Sequence, residues 1–233
     1  MERRGAEDAA RGGRRSRLVS DELTFRTRPA DGDPAGALVL FHGRGADEYD
    51  LEPLLDALDP ERRLVGFLPR GPLVLPPGGA HWYAVRQIGY PDPDTFLATF
   101  ARASAWLDDV LGAAGVTTGR TILGGFSQGA VMSYALGLAT ERPRPAAILA
   151  MSGFIPRVEG FELGLRSRAG LPVSISHGSL DPVIGVQWGR EARDRLSAAG
   201  LAVRYREDPV EHTISPGAVA QAKAVVAEAL AEP

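Results

Sequence analysis

Residues 121–134 read TILGGFSQGAVMSY, and this stretch gives the clearest indication of the fold. It opens on an apolar run typical of a buried strand and closes on residues typical of the start of a helix. Between them, GFSQG (125–129) matches the pattern G-x-S-x-G. This pattern, between a strand and a helix, indicates a serine on a sharp, strained turn with its hydroxyl directed outward. The flanking glycines let strand and helix approach closely. The stretch predicts that Ser127 is a nucleophile.

The remainder of the chain supplies the context that this pattern needs, since a chain with 28 glycines can match G-x-S-x-G by chance. Short apolar runs alternate with segments of helical spacing, which predicts a mostly parallel sheet with helices on both faces. We therefore expect an α/β-hydrolase fold without a large cap domain. The predicted strands are 23–29, 37–41, 64–68, 121–123, 146–151, 171–176 and 201–205; the predicted helices are 51–58, 94–110, one beginning at 130, 185–199 and 215–231.

The length of 233 residues suits one α/β domain, which we place at 18–233. Residues 1–17 are polar and hold six arginines against three acidic residues, without hydrophobic periodicity. Such a segment is expected to be a disordered, solvated tail. A nucleic-acid-binding arm is the competing interpretation. It is disfavoured because no aromatic residues are interleaved, and the net charge of -3 predicts no polyanionic partner.

The composition excludes several kinds of chemistry. The chain has no cysteine, so disulfides, thiolate nucleophiles and thiolate metal sites are excluded. No cofactor is expected. No apolar run approaches the length of a membrane span, and the N-terminus lacks the apolar core of a signal peptide. A cytoplasmic location is the resulting expectation. The oligomeric state is left open, with a homodimer as one alternative.

Polar residues at the carboxyl ends of the predicted strands form a candidate site, because chemistry in such sheets occurs at that edge. A serine needs an imidazole to take its proton, and the imidazole needs a carboxylate to orient it. The order Ser127, Asp181, His212 is the Ser…Asp…His order of α/β-hydrolases. Asp181 as a simple helix cap is the alternative for the acid.

Each other candidate for the base or acid has a more ordinary interpretation. His42 lies too early for this order and is expected to hydrogen-bond its glycine-rich turn. His81 is expected to be exposed, and His177 to be buried and hydrogen-bonded at a strand end. The remaining acids close to His212 are interpreted as a solvated acidic patch: Glu207, Asp208 and Glu211.

An oxyanion hole requires two backbone N–H groups. One is expected from Gln128, after the nucleophile, and the other from Arg44, in the early glycine-rich turn. The Pro- and Gly-rich stretch 69–93 is too long for a simple connection and is expected to border the site. The residues predicted to wall an apolar, bounded acyl pocket are Trp82, Tyr83, Phe154, Ile155, Val183 and Ile184, with surface packing as the alternative for Trp82.

Five stretches together resemble the phospholipase/carboxylesterase family of α/β-hydrolases, which includes acyl-protein thioesterases and small carboxylesterases. They are LVLFHGRGADEYDL (38–51), GGFSQGAVMSYALGL (124–138), AILAMSGFIP (147–156), SHGSLDPVI (176–184) and VEHTISPGAV (210–219). The resemblance implies Ser127 as nucleophile, Asp181 as acid, His212 as base, and Arg44 and Gln128 as oxyanion donors. It also implies metal-free hydrolysis through an acyl-serine. Glu211 is a departure, because the family more often has glycine before this histidine.

The sequence therefore predicts a serine hydrolase that cleaves carboxylic esters or thioesters with small to medium acyl groups. Its expected partner is a small-molecule ester, and neither a nucleic acid nor a membrane span is expected. The alternative from another class is a ligand-binding relative of the α/β-hydrolases that keeps the site and turns over negligibly.

Overall fold

The computed structural model describes residues 23–229 and 231, so the predicted disordered tail at 1–17 lies outside the described residues. The strands are β1 (Phe25–Arg28), β2 (Gly36–Phe41), β3 (Leu64–Pro69), β4 (Leu73–Leu75), β5 (Gly79–His81), β6 (Val85–Gln87), β7 (Tyr90–Pro91), β8 (Thr121–Phe126), β9 (Ala147–Met151), β10 (Pro172–Gly178) and β11 (Ala202–Asp208). The helices are α1 (Glu52–Leu58), α2 (Pro93–Ala113), α3 (Gln128–Leu138), α4 (Gln187–Ala198) and α5 (Pro216–Ala229).

Seven of the strands form one sheet in the order β1-β3-β2-β8-β9-β10-β11. Strand β1 pairs antiparallel with β3, and every other neighbouring pair is parallel. This arrangement confirms the predicted mostly parallel sheet. The carboxyl ends of β2, β8 and β10 therefore meet at one edge, where the candidate residues follow them.

Strand β2 shows why an apolar run makes a central strand. All six of its residues are buried, and they alternate between two hydrophobic clusters. Val39 and Phe41 pack into the cluster under α2 and α3, whereas Leu38 and Leu40 pack into the cluster under α1 and α5. A strand covered by helices on both faces has no polar face, which explains the uninterrupted run. Strand β11, at the edge, instead alternates exposed with half-buried residues.

The long stretch predicted as irregular holds two short hairpins, β4–β5 and β6–β7, and leads directly into α2. That helix begins after Asp92, whose side chain accepts a hydrogen bond from the Thr95 N–H at 3.0 Å. Such a cap satisfies one of the free N–H groups of the first turn. In the part of the chain that the structure describes, no helix has the length and apolarity needed to cross a bilayer.

Candidate active site

Ser127 lies between β8 and α3, with a backbone conformation of φ 55° and ψ -118°. A positive φ is strained for any residue with a Cβ atom. The turn is packed so tightly that only glycine fits beside it. A Cβ atom on Gly129 would lie 1.8 Å from the Phe41 carbonyl oxygen, and one on Gly125 would lie 2.4 Å from the carbonyl carbon of Gly129. The glycines of the motif thus hold the serine at the edge of the sheet.

His212 lies on the loop between β11 and α5 and bridges the other two candidates. Its Nε2 is 3.0 Å from Ser127 Oγ, and its Nδ1 is 2.6 Å from Asp181 Oδ2. The Phe126 ring packs against the imidazole with a centroid distance of 4.7 Å. The structure therefore brings the three predicted triad residues into one hydrogen-bonded chain, although they are separated by 85 and 31 positions in the sequence.

The Asp181 carboxylate is fully buried and held at both oxygens. Its Oδ1 accepts hydrogen bonds from the backbone N–H groups of Val183, at 2.9 Å, and Ile184, at 2.8 Å. These contacts fix the rotation of the carboxylate so that Oδ2 faces the imidazole. The arrangement favours the tautomer in which Nδ1 carries the proton and Nε2 is free to accept one from the serine.

The competing acids close to His212 have other partners. Glu207 accepts hydrogen bonds from Arg190 Nε and Nη2, each at 2.7 Å, and from the Tyr205 hydroxyl at 2.7 Å. The Arg190 bonds lower the pKa of Glu207 to about 2. Asp208 binds Arg206 and Ser215, and Glu211 is exposed. None of the three replaces Asp181 at the imidazole.

The remaining histidines form hydrogen bonds with backbone groups. His42 is buried; its Nδ1 donates to the Gly43 carbonyl at 2.7 Å, and its Nε2 accepts from the Gly71 N–H at 2.9 Å. His177 is buried as well; its Nε2 donates to the Ile184 carbonyl at 2.7 Å and lies 3.6 Å from Asp181 Oδ2. Burial lowers the pKa of both rings. His81, expected to be exposed, is half-buried, with Nδ1 3.1 Å from the Tyr83 carbonyl.

The buried rings of His42 and His177 make the free energy of unfolding depend on pH in a direction that can be predicted. Because their pKa values are lower in the folded chain than in the unfolded chain, the unfolded chain binds more protons in acid. The neutral rings contribute fully to the free energy of unfolding at pH values above their unfolded pKa of about 6.5, and this contribution is lost as the pH falls below that value.

We expect the melting temperature to fall as the pH is lowered from 7.5 to 5.5, and we expect His177→Gln to make this fall less steep. His81→Gln is the matched control, and an equal slope in all three proteins would contradict the assignment.

The predicted oxyanion donors lie on either side of Ser127. The N–H of Gln128 is the first of α3 and, like the first N–H groups of any helix, has no partner within it. Arg44 belongs to the exposed turn after β2. This turn borders the nucleophile, because a Cβ atom on Gly43 would lie 3.6 Å from Ser127 Cβ. Both backbone segments are therefore adjacent to the serine hydroxyl.

A buried hydrogen-bond network, which the sequence does not reveal, joins these two segments. The Gln128 side chain accepts from the Trp82 N–H and donates to the Tyr83 carbonyl, each at 3.0 Å. The indole N–H of Trp82 donates to the His42 carbonyl at 2.9 Å. Trp82 therefore connects the start of α3 to the turn that carries Arg44. The sequence gives no pattern for this, because the Gln128 amide and the loop are 45 residues apart.

The prediction that Trp82 and Tyr83 wall a substrate pocket is corrected by their burial. Their exposed fractions are 0% and 1%, so neither offers surface to a ligand. Trp82 packs edge-on against Phe41, and Tyr83 against Phe96. Their core packing follows from the hydrogen bonds described above, which draw the loop inward. Of the other predicted pocket residues, Val183 is 53% exposed, while three retain 3–4% exposure: Phe154, Ile155 and Ile184.

Trp82→Phe is expected to lower kcat with little change in KM. The substitution keeps an aromatic ring but leaves the buried His42 carbonyl without its donor, so the two oxyanion segments lose their connection. A misplacement of about 1 Å can cost up to about 10²-fold in rate. Trp106→Phe is a matched control, because the Trp106 ring is buried and its N–H has no hydrogen-bond partner within the described chain. Equal kcat losses in the two variants, measured on one ester, would contradict the positioning role.

No group of histidine, aspartate and glutamate side chains within the described ranges is arranged to hold a metal ion. The arrangement can carry out nucleophilic chemistry, because a hydroxyl lies beside an imidazole, a carboxylate lies behind that imidazole, and the first N–H of α3 follows the serine directly.

Comparison with known proteins gives matches to a family model, to known relatives and to solved structures. A model of the phospholipase/carboxylesterase family matches residues 24–229. Acyl-protein thioesterase 1 of Candida albicans is 27% identical over 191 residues, which cover 74% of this chain and 82% of that protein. Among solved structures, esterase PE8 is 26% identical with a TM-score of 0.74, covering 89% of this chain and 99% of that one. The Bacillus cereus carboxylesterase is 23% identical with a TM-score of 0.77, covering 89% and 94%, and shares the fold.

Proposed function

This chain belongs to the phospholipase/carboxylesterase family of α/β-hydrolases, and we propose that Ser127, Asp181 and His212 are its catalytic triad. The protein is a serine hydrolase of carboxylic esters or thioesters. The observation that supports the triad is the hydrogen-bonded chain from Ser127 Oγ to His212 at 3.0 Å and from His212 to Asp181 at 2.6 Å, built on a strained turn.

Acylation begins when Ser127 Oγ attacks the carbonyl carbon of the ester and His212 Nε2 takes its proton. Asp181 stabilises the resulting imidazolium and keeps it oriented. When the tetrahedral intermediate collapses, the ester C–O bond breaks and His212 returns the proton to the leaving alcohol or thiol. An acyl group then remains on Ser127. Water, activated by the same imidazole, releases it as a carboxylic acid.

The N–H groups of Gln128 and Arg44 are the proposed donors to the oxyanion that forms on the carbonyl oxygen. Donors fixed before the reaction are worth more than mobile ones, because no reorganisation accompanies the charge. The buried connection through Trp82 supports this role, since it holds both segments in place. Removing one such donor in other hydrolases typically costs about 10²–10³-fold in kcat.

The acyl groups proposed for this site are small to medium in size. The described chain has no separate cap domain, and the stretch 69–93 folds into two short hairpins rather than a wide cover. Val183 presents an exposed apolar side chain two positions after Asp181, whereas Phe154 and Ile184 are buried in the neighbouring hydrophobic cluster. We propose that the acyl chain lies against Val183.

The alternative of a non-hydrolysing ligand-binding relative is disfavoured, since the residues proposed for turnover lie together in one hydrogen-bonded chain. The test is a turnover screen with p-nitrophenyl esters and acyl thioesters from acetyl to long-chain acyl groups. We expect kcat/KM to rise from acetyl to a short or medium chain and then to fall. Binding of these esters without release of p-nitrophenol or thiol would favour the ligand-binding alternative.

A further inference from the structure

We propose that an apolar groove beside His212, between α1 and the loop that precedes α5, receives the leaving group of the substrate, and that this leaving group is an uncharged alkyl or aryl alcohol or thiol. The proposal rests on the triad proposed above. The groove has a volume of about 410 Å³, within the 300–1,000 Å³ typical of small-molecule sites.

Leu51 and Leu54 form the floor of the groove, and Ala57 extends it along α1. Ile214 and Val219 form the opposite wall, on the His212 loop and α5. Leu51, Leu54, Ile214 and Val219 belong to or pack against the hydrophobic cluster on this face of the sheet, so the groove lies over a packed apolar layer. Its shape is therefore fixed by the fold.

The groove begins at the catalytic base itself. His212 and the Phe126 ring, which packs at a tilt against the imidazole, both line the groove. The groove is thus continuous with the proposed site of proton transfer.

The direction of proton transfer determines whether the acyl group or the leaving group of the ester lies in the groove. His212 Nε2 accepts the proton of Ser127 Oγ and then donates it to the leaving atom, so that atom must come within hydrogen-bond reach of Nε2. The carbonyl oxygen is held on the other side, by the Gln128 and Arg44 N–H groups. The leaving atom therefore lies on the imidazole side, and the chain attached to it continues past His212 into the groove.

The lining selects the chemistry of the leaving group. Of the described residues that line the groove, Asp50 is the only acidic or basic one besides the histidine of the proposed triad. Partial burial raises the pKa of Asp50. Within the part of the chain that the structure describes, no arginine or lysine lines the groove to neutralise a leaving group that carries a carboxylate or phosphate. An anionic leaving group would therefore lie beside a carboxylate, whereas an apolar one would cover leucine and isoleucine side chains.

The test compares two ester series on the purified full chain. Ethyl, butyl and hexyl acetate vary only the leaving alcohol and share one acetyl-enzyme, so kcat/KM isolates acylation. Ethyl acetate, butyrate and hexanoate vary only the acyl chain. We expect kcat/KM in the first series to rise by up to about fourfold per methylene until the groove is filled.

Variants that fill the groove show whether it binds the leaving group or the acyl chain. Ala57 is exposed, so Ala57→Trp fills the groove without removing a core contact; Val219→Phe fills it from the opposite wall. Each is expected to lower the preference for hexyl over ethyl acetate by roughly fifteenfold, the value of two displaced methylenes, and to leave the acyl series unchanged. Ala105→Trp, at an exposed position on α2, is the control and should match the unaltered chain in both series.

Three outcomes overturn the proposal. If both blocking variants fold, as judged by melting temperature, and keep the original leaving-group profile, the groove does not hold the leaving group. If they change the acyl series instead, the groove holds the acyl chain. If neither series is hydrolysed and Ser127 does not react with a fluorophosphonate, the proposed triad fails as well, which separates that failure from failure of the groove alone.

Discussion

Replacing Ser127 by alanine is expected to lower kcat for ester hydrolysis by roughly 10⁵-fold or more, because the nucleophile and the bond it must form are both lost. The His212–Asp181 pair and the oxyanion donors remain, so residual catalysis over water is expected to persist. The measurement is kcat for a p-nitrophenyl ester, with the melting temperature recorded in parallel.

The strained backbone of Ser127 provides a matched second variant. Its φ of 55° is costly for alanine but not for glycine. Ser127→Gly should therefore be as inactive as Ser127→Ala and yet more stable, by up to about 1 kcal/mol. A serine variant that keeps more than a few per cent of the activity would show that another residue is the nucleophile.

Asp181→Asn is expected to lower kcat by up to about 10⁴-fold with a smaller change in KM. The carboxylate accepts two backbone N–H bonds through Oδ1, which holds the other oxygen toward His212 Nδ1. An asparagine that keeps those bonds directs its NH₂ group at Nδ1. The imidazole must then carry its proton on Nε2, where it can no longer accept one from the serine.

Glu207→Gln and Glu211→Gln are the controls for this prediction. Glu207 is held by Arg190 and Tyr205, and Glu211 is exposed. Each control is expected to change kcat by only a few-fold. A loss in either variant as large as that in Asp181→Asn would mean that the acid has been assigned to the wrong residue.

The central strands and the order of the candidate triad could be predicted from the sequence because each depends on local information. Strand β2 is apolar throughout since both of its faces are covered. Strand β8 was predicted to end at residue 123, yet it continues through two glycines to Phe126. A Cβ atom on Gly124 would lie 2.8 Å from a Leu40 methyl group. Glycine is required at this position because of a side chain on the neighbouring strand. The local sequence pattern gives no indication of that contact.

The environment of the loop residues could not be predicted, because it depends on contacts between distant segments. Trp82 and Tyr83 lie in a Pro- and Gly-rich stretch. From the sequence alone, their side chains could line an exposed pocket or be buried beneath it. The Gln128 amide, which binds both residues, decides between these alternatives. The leaving-group groove was missed for the same reason, since its two walls come from α1 and α5, which are adjacent only in the folded chain.

The most direct test of the proposed mechanism is to trap the covalent intermediate. The full chain is mixed with a p-nitrophenyl ester, quenched in acid during turnover, digested, and examined by mass spectrometry. We predict an acyl group on the peptide that contains Ser127, and its accumulation in an Asp181→Asn or His212→Ala variant if deacylation slows more than acylation. Turnover without any acyl-enzyme, or an acyl group on a different residue, would contradict the assignment of Ser127 as the nucleophile.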